Sequence, residues 1–415
     1  MKKIFKTRKS CRLCNSKKIV KVLDLPPIFP GEQLKQNIND KAYKVPIDIY
    51  QCLNCWHVQI INIPSKELMW NSEYTFMPSQ NEKIIEHFEK TINVFKKKFK
   101  PKINNAFEVG SNDGLFLKLL KDKFKCDVLG IDPSRIPANE AKKNKIKTIV
   151  DFFSYKKSNE IKKRFNKFDM IIANNVYAHM DNLNGFTKGI KNLLKKEGFF
   201  IFEISYLPDV IKKKLIGTII HEHLSIHSLV SLTKFFKKFN FQLIDIRHDD
   251  EVQGGALIGY VIHSKKKFHK SPQLKQFLNK EKKLKLNNSA GMRKFSKDFY
   301  NTIEKLKKKI SRNFKKNEKF TAFGAARSAP IILKLLNLEK RVKYIIDNNK
   351  YKDQKYMPLE NIQIKRENKH NFNLNHNYII TGWAQNDKIE KIIKLKKSRK
   401  QKIITIFPKF DVKKI

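Results

Sequence analysis

The chain has 415 residues, more than one ordinary hydrophobic core holds, so we expect two or three domains. A hydrophobic content of 40% with 31 Phe excludes wholesale disorder, and no apolar run approaches the roughly 18–20 residues of a membrane span. The basic N-terminus is followed by no apolar stretch, which argues against a secretory signal. The sequence therefore predicts a cytoplasmic protein without a membrane partner.

The formal net charge of +49 is typical of proteins that bind nucleic acid or anionic membranes. Here the excess is nearly all Lys and is spread along the whole chain. Nucleic-acid readers instead concentrate Arg and interleave aromatic residues on one face. We therefore predict no specific nucleic-acid partner, although a nucleic-acid-binding protein stays as an alternative. The positive field would also favour a polyphosphorylated substrate.

Residues 1–70 are predicted to form short strands and turns that contain two Cys-x-x-Cys pairs. Four thiolates complete the tetrahedral shell of a zinc ion and leave no open position, so the site is structural. A redox pair is disfavoured because neither pair begins a helix in a βαβ unit. His57 is surplus to such a site, and the lone Cys126 is expected to be a small buried hydrophobe. The predicted zinc ligands are Cys11, Cys14, Cys52 and Cys55.

The middle of the chain has the pattern of a parallel α/β sheet. Lys83–Lys98 has apolar residues at helical spacing, and from Ala106 onward short apolar strands alternate with helical stretches. The predicted helices include Leu115–Lys123 and Phe186–Lys195. The strand candidates are Ala106–Val109, Asp127–Ile131, Thr148–Val150, Asp169–Ala173 and Gly198–Glu203.

The first of these strands leads into a glycine-containing turn, Glu108-Val-Gly-Ser-Asn-Asp-Gly114. Such a turn brings backbone N–H groups close to a ligand, Glu108 suits a cationic amino-acid group, and Asp132 after the next strand is placed for ribose hydroxyls. This favours S-adenosylmethionine (SAM) over a dinucleotide, because Asn112 takes the middle position of G-x-G-x-x-G. A purely structural turn is the alternative. The candidates for cofactor contacts are Glu108, Gly110, Ser111, Asn112, Gly114, Asp132, Phe152 and Asn174.

Three histidines and one carboxylate lie within seven residues, from His221 to His227. The pattern is not H-E-x-x-H, and His221 and His223 would diverge on a helix, so a zinc protease is excluded. In an extended segment Glu222 could orient a neighbouring imidazole and create a proton acceptor near neutral pH. His179 follows the fourth strand candidate, at the edge where ligands bind in such sheets. Each histidine alone could be a capped surface residue, but the cluster favours proton chemistry.

The last third of the chain predicts a strand after Gly255 and then a Lys-rich helical stretch over residues 273–316. A second alternation of strands and helices begins at Phe320, with further elements at Pro330–Leu338, Val342–Asp347 and Asn377–Thr381. We therefore expect a second α/β domain.

Taken in order, these motifs resemble the SAM-dependent C-methyltransferases that act on nucleotide-linked deoxysugars. The resemblance covers nearly the whole chain, and its motifs continue through Gly130-Ile-Asp-Pro-Ser134, Phe202–Leu207, Gly254-Gly255-Ala256 and Phe323–Ser328. It implies an α/β protein of three parts. These are an N-terminal zinc-binding module over 1–70, a Rossmann-like SAM domain over 71–265, and a C-terminal α/β domain over 266–415 that helps to hold the sugar nucleotide.

The reaction that the resemblance implies is methylation of the carbon beside the 4-keto group of a nucleotide-linked sugar. A base removes the proton of that carbon, the keto oxygen takes up the charge, and the carbanion attacks the SAM methyl group. By position, His223 is the base and Glu222 orients it. His179 lies near the keto end of the sugar, and Tyr74 contacts the substrate.

This chain departs from the family pattern at several positions on the substrate side. Ile220 stands where the family often has Tyr, and Phe76 lacks a second aromatic hydroxyl. Gln253–Ile258 and Ala326-Arg327-Ser328 replace the usual His-Gly-Gly-Ser-Leu-Arg and Pro-Ala-Lys. An O- or N-methyltransferase of the same architecture therefore stays open, and a zinc-stabilised nucleic-acid-binding protein is less favoured. The oligomeric state, monomer or dimer, is also left open.

Overall fold

The computed structural model describes residues 4–31, 33–69, 76–252, 254–264, 268–367, 376–395, 401–406 and 410–414. Tyr74 lies outside these described residues, so its predicted contact with the substrate stays a prediction. Within them, the helices are all too short or too polar to cross a membrane.

The N-terminal part consists of short strands, as the sequence predicts. Strands β2, β3 and β4 form an antiparallel sheet, and β1 pairs with β5. A fourth strand, β11, joins the first sheet from far along the chain, with Ser225 opposite Gln59 and Ile226 opposite Val58. The elements of this part are β1 (Phe5–Thr7), β2 (Ile19–Leu23), β3 (Ile49–Cys52), β4 (Val58–Ile60), β5 (Asn62–Pro64), the short helix α1 (Lys66–Met69), and the added β11 (Ser225–Ile226).

Helix α2 (Glu82–Phe99) connects this part to the first large sheet and matches the predicted helix within one residue at each end. The side chain of Asn81 caps it by accepting a hydrogen bond from the N–H of Lys83. Its buried residues recur at helical spacing and pack on the sheet, where Phe95 meets Phe199 edge to face.

The central part is a seven-stranded sheet in the order β12-β13-β10-β9-β6-β7-β8, with β12 and β13 antiparallel at one edge. All five predicted strands are present, whereas β12 was not predicted. The elements are β6 (Asn105–Val109), α3 (Leu115–Phe124), β7 (Asp127–Ile131), α4 (Arg135–Lys143), β8 (Thr148–Ile149), α5 (Tyr155–Phe165), β9 (Phe168–Asn174), α6 (Leu183–Leu193), β10 (Leu194–Ser205), α7 (Leu207–Lys213), α8 (Leu229–Lys237), β12 (Phe241–Asp249) and β13 (Ala256–His263).

The C-terminal part begins with two helices and continues as a second seven-stranded sheet, in the order β16-β17-β15-β14-β18-β19-β20. The predicted helical stretch over 273–316 is interrupted where Lys285 takes a left-handed φ of 55°. The elements are α9 (Pro272–Lys283), α10 (Ala290–Asn313), β14 (Phe320–Phe323), α11 (Ala329–Leu335), β15 (Val342–Asp347), β16 (Tyr356–Met357), β17 (Ile362–Arg366), β18 (Asn377–Ile380), α12 (Asn386–Leu395), β19 (Lys402–Thr405) and β20 (Asp411–Lys414).

One hydrophobic core joins the N-terminal sheet to the C-terminal part. It contains Ile49 and Val58 of the first, Ile216 from the segment after β10, and Phe320 and Ile332 of the last. In the central sheet the chain order reverses between β6 and β9, which opens a crevice at the carboxyl ends of the strands. The fold therefore predicts a ligand site at this edge.

Candidate active site

A cavity of about 400 Å³ lies at the carboxyl edge of the central sheet and is also lined by residues of the C-terminal part. The predicted SAM turn lines this cavity together with the two histidine-bearing segments, which contain His179 and His223. The predicted site residues that line it are Glu108, Gly110, Ser111, Asn112, Asp132, Phe152, Asn174, His179 and His223. Gly114 is the N-cap residue of α3, behind the turn, and Glu222 lines a neighbouring cavity of about 510 Å³.

The turn after β6 can be built only from residues that tolerate left-handed backbone conformations. Gly110, Asn112 and Gly114 have φ values of 72°, 49° and 76°. A Cβ atom added to Gly110 would lie 2.2 Å from Cγ2 of Val176, which shows how closely the turn approaches the segment after β9. The N–H of Asn112 donates to Oδ2 of Asp132 over 3.0 Å, so the turn and the predicted ribose ligand are held together.

Glu108 lies at the end of β6 with 2% of its surface exposed. Its Oε1 accepts a hydrogen bond from Nδ2 of Asn174 over 3.0 Å, while no donor among the described residues reaches Oε2. Burial raises the pKa of Glu108 well above its usual value. A buried carboxylate oxygen without a donor, at the wall of a cavity, fits a cationic ligand group such as the ammonium of SAM.

His179 and His223 come from different segments and lie face to face, with ring centroids 5.4 Å apart and planes at 21°. Nδ1 of His223 lies 2.7 Å from the carbonyl oxygen of Thr218, which requires the proton on Nδ1 and makes Nε2 the acceptor nitrogen. Burial, assisted by the charge of Arg327, lowers the pKa of His223 to about 4. Burial also lowers the pKa of His179. Both rings are therefore neutral at neutral pH.

The structure revises the role predicted for Glu222. Its Oε2 accepts a 2.6 Å hydrogen bond from Nη1 of Arg327, and the carbonyl group of Thr218 holds the ring of His223 instead. Glu222 therefore anchors a cation of the C-terminal part at the cavity. The segment was expected to be extended but forms a turn at His221 and Glu222, in which the N–H of His223 donates to the carbonyl oxygen of Ile220 over 3.0 Å. His221 packs away from the cavity, with Nε2 3.1 Å from the carbonyl oxygen of Val45.

The four predicted zinc ligands lie together. Sγ of Cys11 is 3.5 Å from Sγ of Cys55, Sγ of Cys14 is 3.5 Å from Sγ of Cys52, and all four sulfurs lie within 4.8 Å of one another. A tetrahedral zinc ion with bonds of about 2.3 Å needs sulfurs about 3.8 Å apart, so the cluster fits this metal. The N–H of Asn54 points at Sγ of Cys52, as in a knuckle. His57 contacts Ser225 and is not part of the cluster.

Three family models match consecutive parts of the chain. They are described as a zinc binding domain over residues 11–70, a methyltransferase domain over 80–246, and a C-methyltransferase C-terminal domain over 251–408. The chain therefore carries a methyltransferase domain and the C-terminal domain of C-methyltransferases. The resemblance predicted from the sequence is thereby confirmed, and the predicted SAM cofactor and structural zinc agree with these domains and with the geometry of the two sites.

A curated relative of this methyltransferase is the C-methyltransferase NovU of Streptomyces niveus, which is 28% identical over 193 residues. The match spans 46% of this chain and 46% of NovU, about half the length of each. Among solved structures, the plantazolicin methyltransferase BpumL bound to SAH matches 45% of this chain and 87% of its own, with 14% identity and a TM-score of 0.35. The match to magnesium protoporphyrin IX methyltransferase from Synechocystis PCC 6803 covers 43% of this chain and 83% of that enzyme, with 13% identity and a TM-score of 0.35.

Sequence reasoning missed a buried polar cluster in the wall of the cavity. Nε2 of His87 lies 2.7 Å from Oε2 of Glu203, Nδ1 of His87 lies 3.1 Å from Oδ2 of Asp249, and the amide group of Asn175 donates to Oε1 of Glu203. Burial opposes a charge on His87, but the two carboxylates outweigh it and raise its pKa. A histidine on the apolar face of α2, beside Ile84 and Phe88, was the available signal.

Replacement of Glu108 by Gln should weaken SAM binding by this methyltransferase. The variant keeps the shape of the side chain but cannot carry the negative charge that would pair with the ammonium group of SAM, and hydrogen bonds to charged groups contribute about 1.5–3 kcal/mol. Titration calorimetry with SAM measures the affinity. Glu140→Gln is the matched control, because Glu140 is a partly exposed carboxylate on α4 that pairs with Lys143. Equal SAM affinities in the wild type and Glu108→Gln would remove Glu108 from the cofactor site.

Proposed function

We propose that this methyltransferase transfers the methyl group of SAM to the carbon beside the keto group of a nucleotide-linked 4-keto-deoxysugar. The observation that carries the proposal is the neutral pair of His179 and His223 in the cavity that also contains the SAM turn. Carbon becomes a nucleophile only after deprotonation, so methylation of carbon requires a base held in its unprotonated form. When bound, SAM supplies a methyl group on a positively charged sulfur, which is a good leaving group.

In this proposal Nε2 of His223 accepts the proton of the substrate carbon. The carbonyl group of Thr218 fixes Nδ1 as the protonated nitrogen and therefore keeps Nε2 unprotonated until the reaction. His179, neutral and stacked on His223, lies near the keto oxygen and donates a hydrogen bond to the charge that develops there. The proton thus moves to His223, while the negative charge moves to the keto oxygen of the substrate. Tyr74 remains a further proposed substrate contact.

The nucleotide-linked class of substrate is supported by the cations that the C-terminal part contributes to the cavity. Arg327 and Lys352 both line it, and the net charge of +49 attracts anionic ligands. The family resemblance supports a deoxysugar as the part of the substrate that is methylated. We accordingly assign residues 1–70 to a structural zinc module and residues 71–265 to a domain that binds SAM and carries the base. Residues 266–415 are assigned to substrate binding.

Purified protein with radiolabelled SAM and a panel of sugar nucleotides tests this proposal. Each 4-keto-deoxysugar nucleotide is compared with its 4-hydroxy counterpart, because reduction of the keto group removes the acidity of the neighbouring C–H bond. We expect label transfer to the keto compound alone. Equal transfer to the 4-hydroxy compound would overturn the proposal and indicate methylation of oxygen, which the apolar Ile220 and Phe76 in the cavity wall leave as the second candidate.

Replacement of Arg327 by Met should both destabilise the fold and raise the KM for the substrate. Arg327 is the cation beside Glu222, whose side chain is 2% exposed, so its removal leaves a buried negative charge without that partner. We expect a loss of about 1–3 kcal/mol in the free energy of unfolding, measured with urea. The double variant Arg327→Met/Glu222→Gln is the control and should recover most of the loss. No recovery in the double variant would contradict a direct pairing.

A further inference from the structure

Arg12 lies inside the first zinc knuckle, between Cys11 and Cys14, and its side chain is fully buried. Its backbone N–H and its Nη1 both donate to Oε1 of Gln59, over 3.0 and 3.2 Å. A buried guanidinium loses its water, so it persists only where fixed acceptors replace the lost hydrogen bonds. The hydrogen-bond acceptors of the Arg12 guanidinium therefore identify the segments of the chain that it connects.

The guanidinium of Arg12 reaches beyond the zinc module to both histidine-bearing segments. Nη1 donates to the carbonyl oxygen of Leu224, the residue directly after His223. Nη2 donates to the carbonyl oxygen of Ile60 over 2.8 Å and lies 3.7 Å from Oδ1 of Asp181, two residues after His179. One rigid, planar group thus contacts the chain beside each of the two stacked rings.

Neighbouring contacts fix the same region to the zinc module. The N–H of Ile60 donates to the carbonyl oxygen of Leu224 over 3.0 Å, and β11 continues this pairing as a strand of the module's sheet. On the other side, Nδ2 of Asn184 donates to the carbonyl oxygen of Arg12 over 2.9 Å. The module therefore forms part of the scaffold of the cavity.

We propose that Arg12 is a positioning residue that sets the separation of His179 and His223. The zinc module then acts on the geometry of the proposed base as well as on the stability of the fold. The kinetic consequence rests on the proposed function, whereas the positioning itself is measurable without any substrate.

Amide hydrogen exchange of the zinc-loaded full chain, followed by mass spectrometry, measures this positioning in the wild type and in Arg12→Met. We expect exchange to rise about tenfold in residues 177–184 and also in 219–227, because the lost hydrogen bonds hold both segments. Zinc content and SAM affinity should match the wild type. Arg12→Lys should restore part of the protection, because an ammonium group donates hydrogen bonds but lacks the planar fork.

Arg8→Met is the matched control. Arg8 belongs to the same module and its Nη1 lies 3.0 Å from Oδ1 of Asp181, so its removal should affect residues 177–184 alone. Wild-type exchange in both segments of a zinc-loaded Arg12→Met variant would overturn the proposal. If Arg12→Met does not bind zinc, the same exchange measurement is made on Gln59→Met. This variant removes the oxygen that orients Arg12 and leaves both knuckles intact. Unchanged exchange there would equally overturn the proposal.

A kinetic measurement separates this proposal from the proposed function. With a 4-keto sugar nucleotide, Arg12→Met should lower kcat by about 100-fold for a displacement of about 1 Å, with the KM for SAM unchanged. An unchanged kcat would contradict a role in positioning. Absence of methyl transfer by the wild type would overturn the proposed substrate, and the exchange data would still decide the role of Arg12.

Discussion

Replacement of His223 by Ala is expected to lower methyl transfer by about 10²–10⁴-fold, the usual contribution of a positioned general base. Affinity for SAM should not change, because the predicted cofactor contacts come from Glu108, Asp132 and the turn between them. Turnover with labelled SAM and titration calorimetry measure the two effects. The predicted loss is large because Thr218 holds this one ring in the tautomer that a base requires.

The control for this variant is His221→Gln. His221 lies in the same cluster but binds the carbonyl oxygen of Val45 away from the cavity, so its loss should affect stability and not turnover. The pH profile gives a second check. Because burial lowers the pKa of His223 to about 4, kcat/KM of the wild type should persist as the pH falls through 6.5 and decline only nearer 4. Full activity of His223→Ala would remove it as the base.

Removal of zinc is expected to have the second large effect. Binding of structural zinc contributes about 10–16 kcal/mol in isolated zinc fingers, so its loss should unfold the N-terminal sheet. Strand β11 belongs to that sheet and follows His223, so methyl transfer should fail together with the module. Zinc content, near-ultraviolet circular dichroism and turnover after chelation measure this, and added zinc should restore all three.

Cys52→Ser should reproduce the effect of chelation, and Cys126→Ser is its matched control. Cys126 is also buried but lies outside the sulfur cluster, between α3 and β7. Its replacement should leave zinc content and turnover unchanged. A metal-free protein with wild-type turnover and unfolding temperature would contradict a structural zinc site that supports the base.

Local signals in the sequence were enough to predict the zinc ligands, the SAM turn and most of the central sheet. Cys-x-x-Cys spacing, a glycine turn after a buried strand, and runs of β-branched and aromatic residues each depend on neighbours in the chain. The prediction of Asp127–Ile131 as a strand is confirmed at both ends. Strand β11, inside the histidine cluster, was missed because it has only two residues and pairs with a distant strand. Strand β12, after the cluster, was also missed.

The contacts that define the site could not be predicted, because they join residues far apart in the chain. Arg327 and Glu222 are separated by 105 positions and Arg12 and Leu224 by 212. The spacing of apolar residues along the chain predicts local helices and strands and carries no information on such distant pairs. Arg327 departs from the family pattern, and in the structure this departure places a cation opposite Glu222. The role first given to Glu222 changed for that reason.

The position of the transferred methyl group tests the central claim most directly. Protein is incubated with SAM carrying a ¹³C-labelled methyl group and a nucleotide-linked 4-keto-deoxysugar, and the product is analysed by NMR. We expect the signal of a methyl group bonded to the ring carbon beside the keto group, with the C–H signal of that carbon lost or shifted. A methyl signal displaced downfield by a bond to oxygen or nitrogen would contradict it.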